Sequence, residues 1–231
     1  MDKRQTDDLL AEFGLADRGP PDLLRSVAEV RNATLNGYTH VLRRAWKSFD
    51  GLLGVLSVRG RPTVYLQYRP RDGRISPEEQ RSFWSHGVAP ILVRSTPKEI
   101  RVYSGLSSPA LEGEDVDGDK RLVDVFEGAA RALGMRQFIR SVEAGTVYDH
   151  HAEHFDPTQA VDQRLVENLN AVRELMSVGS DAPDLPSIHR LLGRVLFTCY
   201  LEARGALVEK DFGRLGAGAK ATFKQILSLP D

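Results

Sequence analysis

The chain holds a single cysteine, Cys199, among 231 residues, so no disulfide can close within it. It has only two tryptophans and three methionines. Its formal net charge is −1, which excludes the bulk basicity of a histone-like or ribosomal protein. No apolar run approaches the roughly 20 residues that a membrane-spanning helix needs. The opening MDKRQTDDLL lacks the apolar centre of a secretory signal. What is present is ordinary for a globular chain: 41% hydrophobic and 27% charged residues, with enough length for one large or two small domains. A cytoplasmic protein without membrane contact is the expectation.

The charge is unevenly placed. From His40 to Ser104 there are twelve Lys or Arg residues against five acids, about +7 for that stretch. Most are Arg, whose planar fork suits phosphate. Solvated strand and loop positions are the competing explanation for such a surplus.

Turn signals and apolar spacing divide the chain. Residues 4–13 read as a short helix stopped by Gly14, and Pro20-Pro21 precede a helical stretch to about Val30. Another helix is expected from about Tyr38 to Phe49. Leu52–Val58 and Thr63–Tyr68 read as a hairpin of strands, since β-branched and aromatic residues favour pleated surfaces. Ser76-Pro77-Glu78-Glu79 is a helix start: Ser as N-cap, Pro at the first helical position and Glu three residues on. That helix is expected to stop at Gly87. Pro90–Arg94 and Glu99–Tyr103 read as two more strands. Leu106–Asp119, rich in Ser, Pro, Gly and acids, reads as an exposed linker. Beyond it the spacing predicts helices over Lys120–Leu133, over Arg136–Ala144, from Asp156 through Met176 and from Ser187 to Arg204. A short helix is possible in Phe212–Asp231. The predicted domains are an N-terminal helical segment (1–35), an α/β domain (36–106), an acidic linker (107–119) and an all-helical domain (120–231).

Four constellations bear on chemistry. Asp149–Asp156 gathers His150, His151 and His154 beside three acids, and His151 and His154 have a spacing that can share a metal. Without an H-E-x-x-H pattern or nearby cysteine, a structural role outweighs ligation. Asp50 with Gln67-Tyr68-Arg69 has the layout of a PD-(D/E)XK nuclease, in which two acids hold Mg²⁺ and a Lys assists. Here Gln replaces the second acid and Arg the Lys, so the site is expected to be degenerate. The glycines Gly213, Gly216 and Gly218 lack the strand–helix frame of a phosphate cradle. Arg190 and Arg194, one turn apart, can reach a phosphate backbone together, as can Arg43, Arg44 and Lys47. Cys199 falls on the apolar face of its helix, where a buried inert thiol is expected.

The run Val161–Gly205 carries a resemblance. Its parts are Val161-Asp162-Gln163-Arg164-Leu165, Leu192-Gly193-Arg194-Val195-Leu196-Phe197 and Tyr200-Leu201-Glu202-Ala203-Arg204-Gly205. With Trp84–Val93 and Thr96–Tyr103, it resembles the N-terminal region of bacterial N6-adenine DNA methyltransferases of the fused restriction–modification type. The resemblance spans roughly residues 40–210 and consists of packing patterns. It implies duplex DNA and a methylase domain or subunit as partners, with S-adenosylmethionine as cofactor of the parent family. The chain has neither a Gly-rich cofactor turn nor an Asn-Pro-Pro-Tyr motif, so no cofactor and no methyl transfer are expected of it. Its ending at Leu229-Pro230-Asp231 suggests the leading portion of a longer protein. The implied fold is a small mixed sheet with flanking helices, like a degenerate PD-(D/E)XK core, followed by helices. The implied role is non-catalytic: DNA engagement or scaffolding. A metal-dependent nuclease and a protein–protein docking module of a phage-defence system are the alternatives.

Overall fold

A computed structural model describes residues 3–32, 37–111, 113–118, 120–179, 182–203 and 207. In chain order its elements are α1 (Lys3–Glu12), β1 (Leu23–Leu24), α2 (Val27–Asn32), α3 (Thr39–Ser48), β2 (Leu52–Val58), β3 (Arg61–Tyr68), α4 (Pro77–His86), β4 (Ile91–Ser95), β5 (Glu99–Ser104), β6 (Leu122–Glu127), α5 (Arg131–Ala144), α6 (Val147–His150), α7 (Val161–Met176) and α8 (Leu185–Ala203). The chain divides into two compact units, 1–164 and 165–231.

In the first unit the six strands form one sheet in sequence order. Every neighbouring pair is antiparallel except β3 and β4, which run parallel. Parallel neighbours need a crossover longer than a hairpin, and α4 supplies it. The Ser76 side chain accepts the Glu79 N–H (3.2 Å) while the Glu79 carboxylate accepts the Ser76 N–H (3.1 Å), the capping box read from the sequence.

Helices cover both faces of the sheet, so its central strands are buried on both sides and read as continuous apolar runs. Alternation along the strands separates two cores. Val64, Leu66, Ile91 and Val93 pack with Leu10 and Phe13 of the N-terminal region and with Met135, Ile139 and Val142 of α5. Tyr65 and Leu92 on the other face pack with Leu42, Ala45, Phe49 and Phe83. On α3, Leu42 and Ala45 are buried while Arg43, Arg44 and Lys47 stay exposed.

Three expectations change. Leu23-Leu24, expected inside a helix, form an edge strand against Leu56 and Val55, and both are fully buried. Leu122–Glu127, expected to open a helix, pairs with β5. Leu122, Val125 and Phe126 satisfy helical spacing, but Val123, Val125 and Phe126 are also β-formers, and pairing with an available strand decides between the two. The acidic stretch before it is held down rather than loose. Ala110 N–H donates to Gln80 (2.9 Å), and Asp117 accepts from Arg101 (2.6 Å) and from the Tyr103 hydroxyl (2.9 Å). The compact unit therefore continues through 107–119 and β6, and the division falls inside α7.

α5 approaches β6 closely because Gly134 has no side chain. A Cβ there would lie 2.5 Å from Phe126 Cδ1. Alanine ordinarily gains about 1 kcal/mol over glycine in a helix. At this contact the overlap is larger, and Gly134→Ala is expected to lower stability by about 1–2 kcal/mol. Urea denaturation checks it, and a stabilised variant would show that the helix–strand gap is wider.

Among the described residues no helix is long and apolar enough to cross a membrane. In the second unit, α7 and α8 leave large apolar side chains uncovered, including Leu175, Phe197 and Tyr200.

Candidate functional site

Asp50 and Gly51 turn the chain from α3 into β2, and Gln67 and Arg69 lie at the far end of β3. Gly51 has φ +75°, and a Cβ on it would stand 2.4 Å from the Tyr68 carbonyl oxygen. Only glycine lets this turn close on β3, and the Tyr68 N–H donates to the Gly51 carbonyl (2.9 Å). The turn brings together the residues that sequence spacing singled out. Gln67 Nε2 donates to the Asp50 carbonyl (2.6 Å), and Arg69 pairs with the Asp50 carboxylate.

Two further residues complete the cluster. Arg94 on β4 stands beside Gln67 in the parallel register. Its side chain is 2% exposed. Its guanidinium donates to Gln67 Oε1 (3.0 Å) and to the Arg74 carbonyl (2.6 Å). Its Nη2 lies 2.9 Å from Glu79 Oε1, the same oxygen that Arg69 Nη2 approaches at 2.7 Å. Glu79 is thus shared by two guanidinium groups. Burial alone would raise its pKa, but Arg69, the Ser76 N–H and Arg94 together hold it below the ordinary carboxylate range. The hydrogen bond to Glu79 in turn raises the pKa of Arg69.

This donor set does not fit a divalent cation. Mg²⁺ asks for free carboxylate oxygens, whereas both Asp50 and Glu79 are bridged by Arg69. A guanidinium fixed at the centre repels a second cation and stays protonated, so it cannot serve as a base. The cluster can orient β2, β3, β4 and α4 and hold their ends together.

Glu79 and Arg94 were not among the residues expected here. The sequence pattern gives Glu79 only a capping role, which it also performs. Arg94 had a visible signal: it is a charge inside an otherwise apolar strand, and a buried charge requires a partner.

The other candidates separate. Arg43, Arg44 and Lys47 share the solvent face of α3 in the first unit. Arg190 and Arg194 are exposed on α8 in the second. His154 is buried, its carbonyl accepting from Ser104 Oγ (2.5 Å) and Ser107 Oγ (3.1 Å), and its ring centroid lies 6.0 Å from that of His151. Among the described residues no group of three His, Cys, Asp or Glu side chains is placed to hold a metal. Cys199, expected to be buried, is exposed, as is Leu191 on the same face of α8, while Ile188 at the start of that face is buried. The glycines from Gly213 to Gly218 lie outside the described residues.

No protein-family model matches the chain, and neither a curated protein nor a solved structure shows significant similarity to it.

Proposed function

We propose that residues 1–164 form a nuclease-like unit without cleavage chemistry that engages duplex DNA, as the N-terminal portion of a DNA adenine methyltransferase of a restriction–modification system. The observation that carries this reading is the convergence of Asp50, Gln67 and Arg69 at adjacent ends of β2 and β3. Those are the places where a PD-(D/E)XK nuclease keeps its metal-binding acids and lysine. A hairpin followed by a helical crossover to a parallel strand supplies the same frame. With Gln and Arg in place of acid and Lys, the frame keeps its shape and loses its metal.

The basic face of α3 is the proposed contact. Arg43 and Lys47 are solvent-facing, and a short row of cations along one helix suits a phosphate backbone. Arg190 and Arg194 would add contacts from the second unit. S-adenosylmethionine would belong to the methylase domain and not to these residues. The uncovered apolar side chains of α7 and α8 favour a second role for the helical unit, docking that domain or a methylase subunit.

Gel shift against duplex DNA tests the reading. Binding is expected to weaken by roughly tenfold or more between about 50 and 200 mM salt, because each neutralised phosphate releases counterions. Arg43→Glu with Lys47→Glu should abolish it without altering the far-ultraviolet circular dichroism. Plasmid incubated with Mg²⁺ or Mn²⁺ should stay intact. No shift at low salt removes DNA engagement, and cleavage that Asp50→Ala eliminates would make the protein an active nuclease.

A further inference from the structure

At the opposite end of β3 the first unit contains a cavity of ≈ 450 Å³. This lies within the roughly 300–1,000 Å³ typical of small-molecule sites. It is walled by the starts of β3 and β4, the turn after β5, α6 and the first residues of α7. From Pro62 to Gln67 the strand spans about 17 Å at its usual rise, so the cavity is separate from the Asp50–Arg94 cluster and does not depend on the DNA reading.

Its lining combines aromatic rings with one charge of each sign: Tyr38, Tyr148, Arg61 and Asp162. The Tyr148 ring is held edge-on against Phe155 (centroids 5.1 Å), and Tyr38 packs against the core beneath α3. Both rings are therefore fixed by packing before any ligand arrives. The Arg61 guanidinium and the two phenol hydroxyls hydrogen-bond to no other described residue. Asp162 Oδ1 accepts the Gln163 N–H (3.0 Å), which fixes the carboxylate and leaves Oδ2 to accept another donor. Rings fixed by packing beside an arginine and a carboxylate on the lining of one cavity are what a ligand site requires.

We infer that this cavity binds a nucleoside monophosphate unit, with the base against Tyr38 and Tyr148, the phosphate on Arg61 and an exocyclic amino group of the base on Asp162. The rings accept any base face. A guanidinium matches phosphate geometry. The carboxylate selects bases that carry an amino group, namely adenine, cytosine and guanine, over uracil. The unit can be a free nucleotide or an unpaired nucleotide of a DNA strand.

The test is calorimetric titration of the full chain with AMP, CMP, GMP, UMP and adenosine. AMP is expected to bind saturably and more tightly than adenosine or UMP. Arg61→Ala, at an exposed position, should weaken AMP by about tenfold and erase its advantage over adenosine. Asp162→Asn, also exposed, should narrow the preference for AMP over UMP. A short single strand of DNA that displaces AMP would identify the strand as the source. AMP binding that the strand leaves untouched would identify the free nucleotide. Absence of saturable binding by every nucleotide at millimolar concentration overturns the inference, and so does AMP binding that Arg61→Ala leaves unchanged.

Discussion

Glu79→Gln is expected to cost about 3 kcal/mol of folding stability, because it removes the carboxylate that faces the buried Arg94 guanidinium and leaves that charge uncompensated. Glutamine keeps the length of the side chain and can still accept the Ser76 N–H, so the capping box survives. What disappears is the negative charge that Arg94 and Arg69 share. Arg94 is 2% exposed, and a guanidinium does not neutralise itself by losing a proton. With a urea m-value of about 2 kcal/mol/M, the midpoint should fall by about 1.5 M. Replacing Arg94 by Met in the same chain removes the stranded charge. The double variant should then be more stable than Glu79→Gln alone, since buried ion networks are often replaced by apolar groups at little cost. A loss below about 1 kcal/mol for Glu79→Gln would mean that water reaches the cluster and that it behaves as a surface pair.

The elements that the sequence made legible are those defined by local chemistry. Ser76, Pro77 and Glu79 fix the start of α4 through bonds within one turn, and that chemistry is written in four consecutive residues. The hairpin of β2 and β3 and the paired strands β4 and β5 follow from β-branched and aromatic runs between turn residues. Mixed α/β architecture with helices on the sheet could be read from that alternation. The remainder depends on partners distant in the chain. Leu23-Leu24 are too few to display a period, and only Val55 and Leu56 make them a strand. Leu122–Glu127 satisfies two periods at once, and β5 chooses. The site divides the same way. Asp50, Gln67 and Arg69 could be named from spacing along one hairpin. Arg94 and Glu79 join them through the parallel register and the crossover helix, which no local pattern encodes. Cys199 shows the opposite case: apolar spacing predicts burial along one face of α8, yet Ile188 on that face is buried and Cys199 is exposed.

Lowering the pH from 6.5 to about 4 is expected to remove about 3 kcal/mol of stability through His86 alone. His86 closes α4, and its Nδ1 lies 2.8 Å from the Tyr65 hydroxyl. With the ring proton on Nε2, Tyr65 donates and the neutral imidazole accepts. Burial, followed by the positive charge of Arg44, pushes the His86 pKa down to about 4. An unfolded histidine titrates near 6.5. The folded value is the lower one, so below pH 6.5 the unfolded chain takes up a proton that the folded chain refuses. Stability contributed by this site is constant above pH 6.5 and declines by about 1.4 kcal/mol per pH unit as the pH falls toward 4. Protonation would also set a second cation beside Arg44 under α3, the helix that carries the proposed DNA-binding face. His86→Asn retains an acceptor for Tyr65 without a titrating ring. Its stability should therefore lose one proton's worth of slope between pH 6.5 and 4 relative to the parent, while the carboxylate-dependent loss at lower pH remains. Parallel stability–pH curves for the two proteins over that interval would show that the imidazole is solvated and that the acid sensitivity of the α3–α4 packing arises elsewhere.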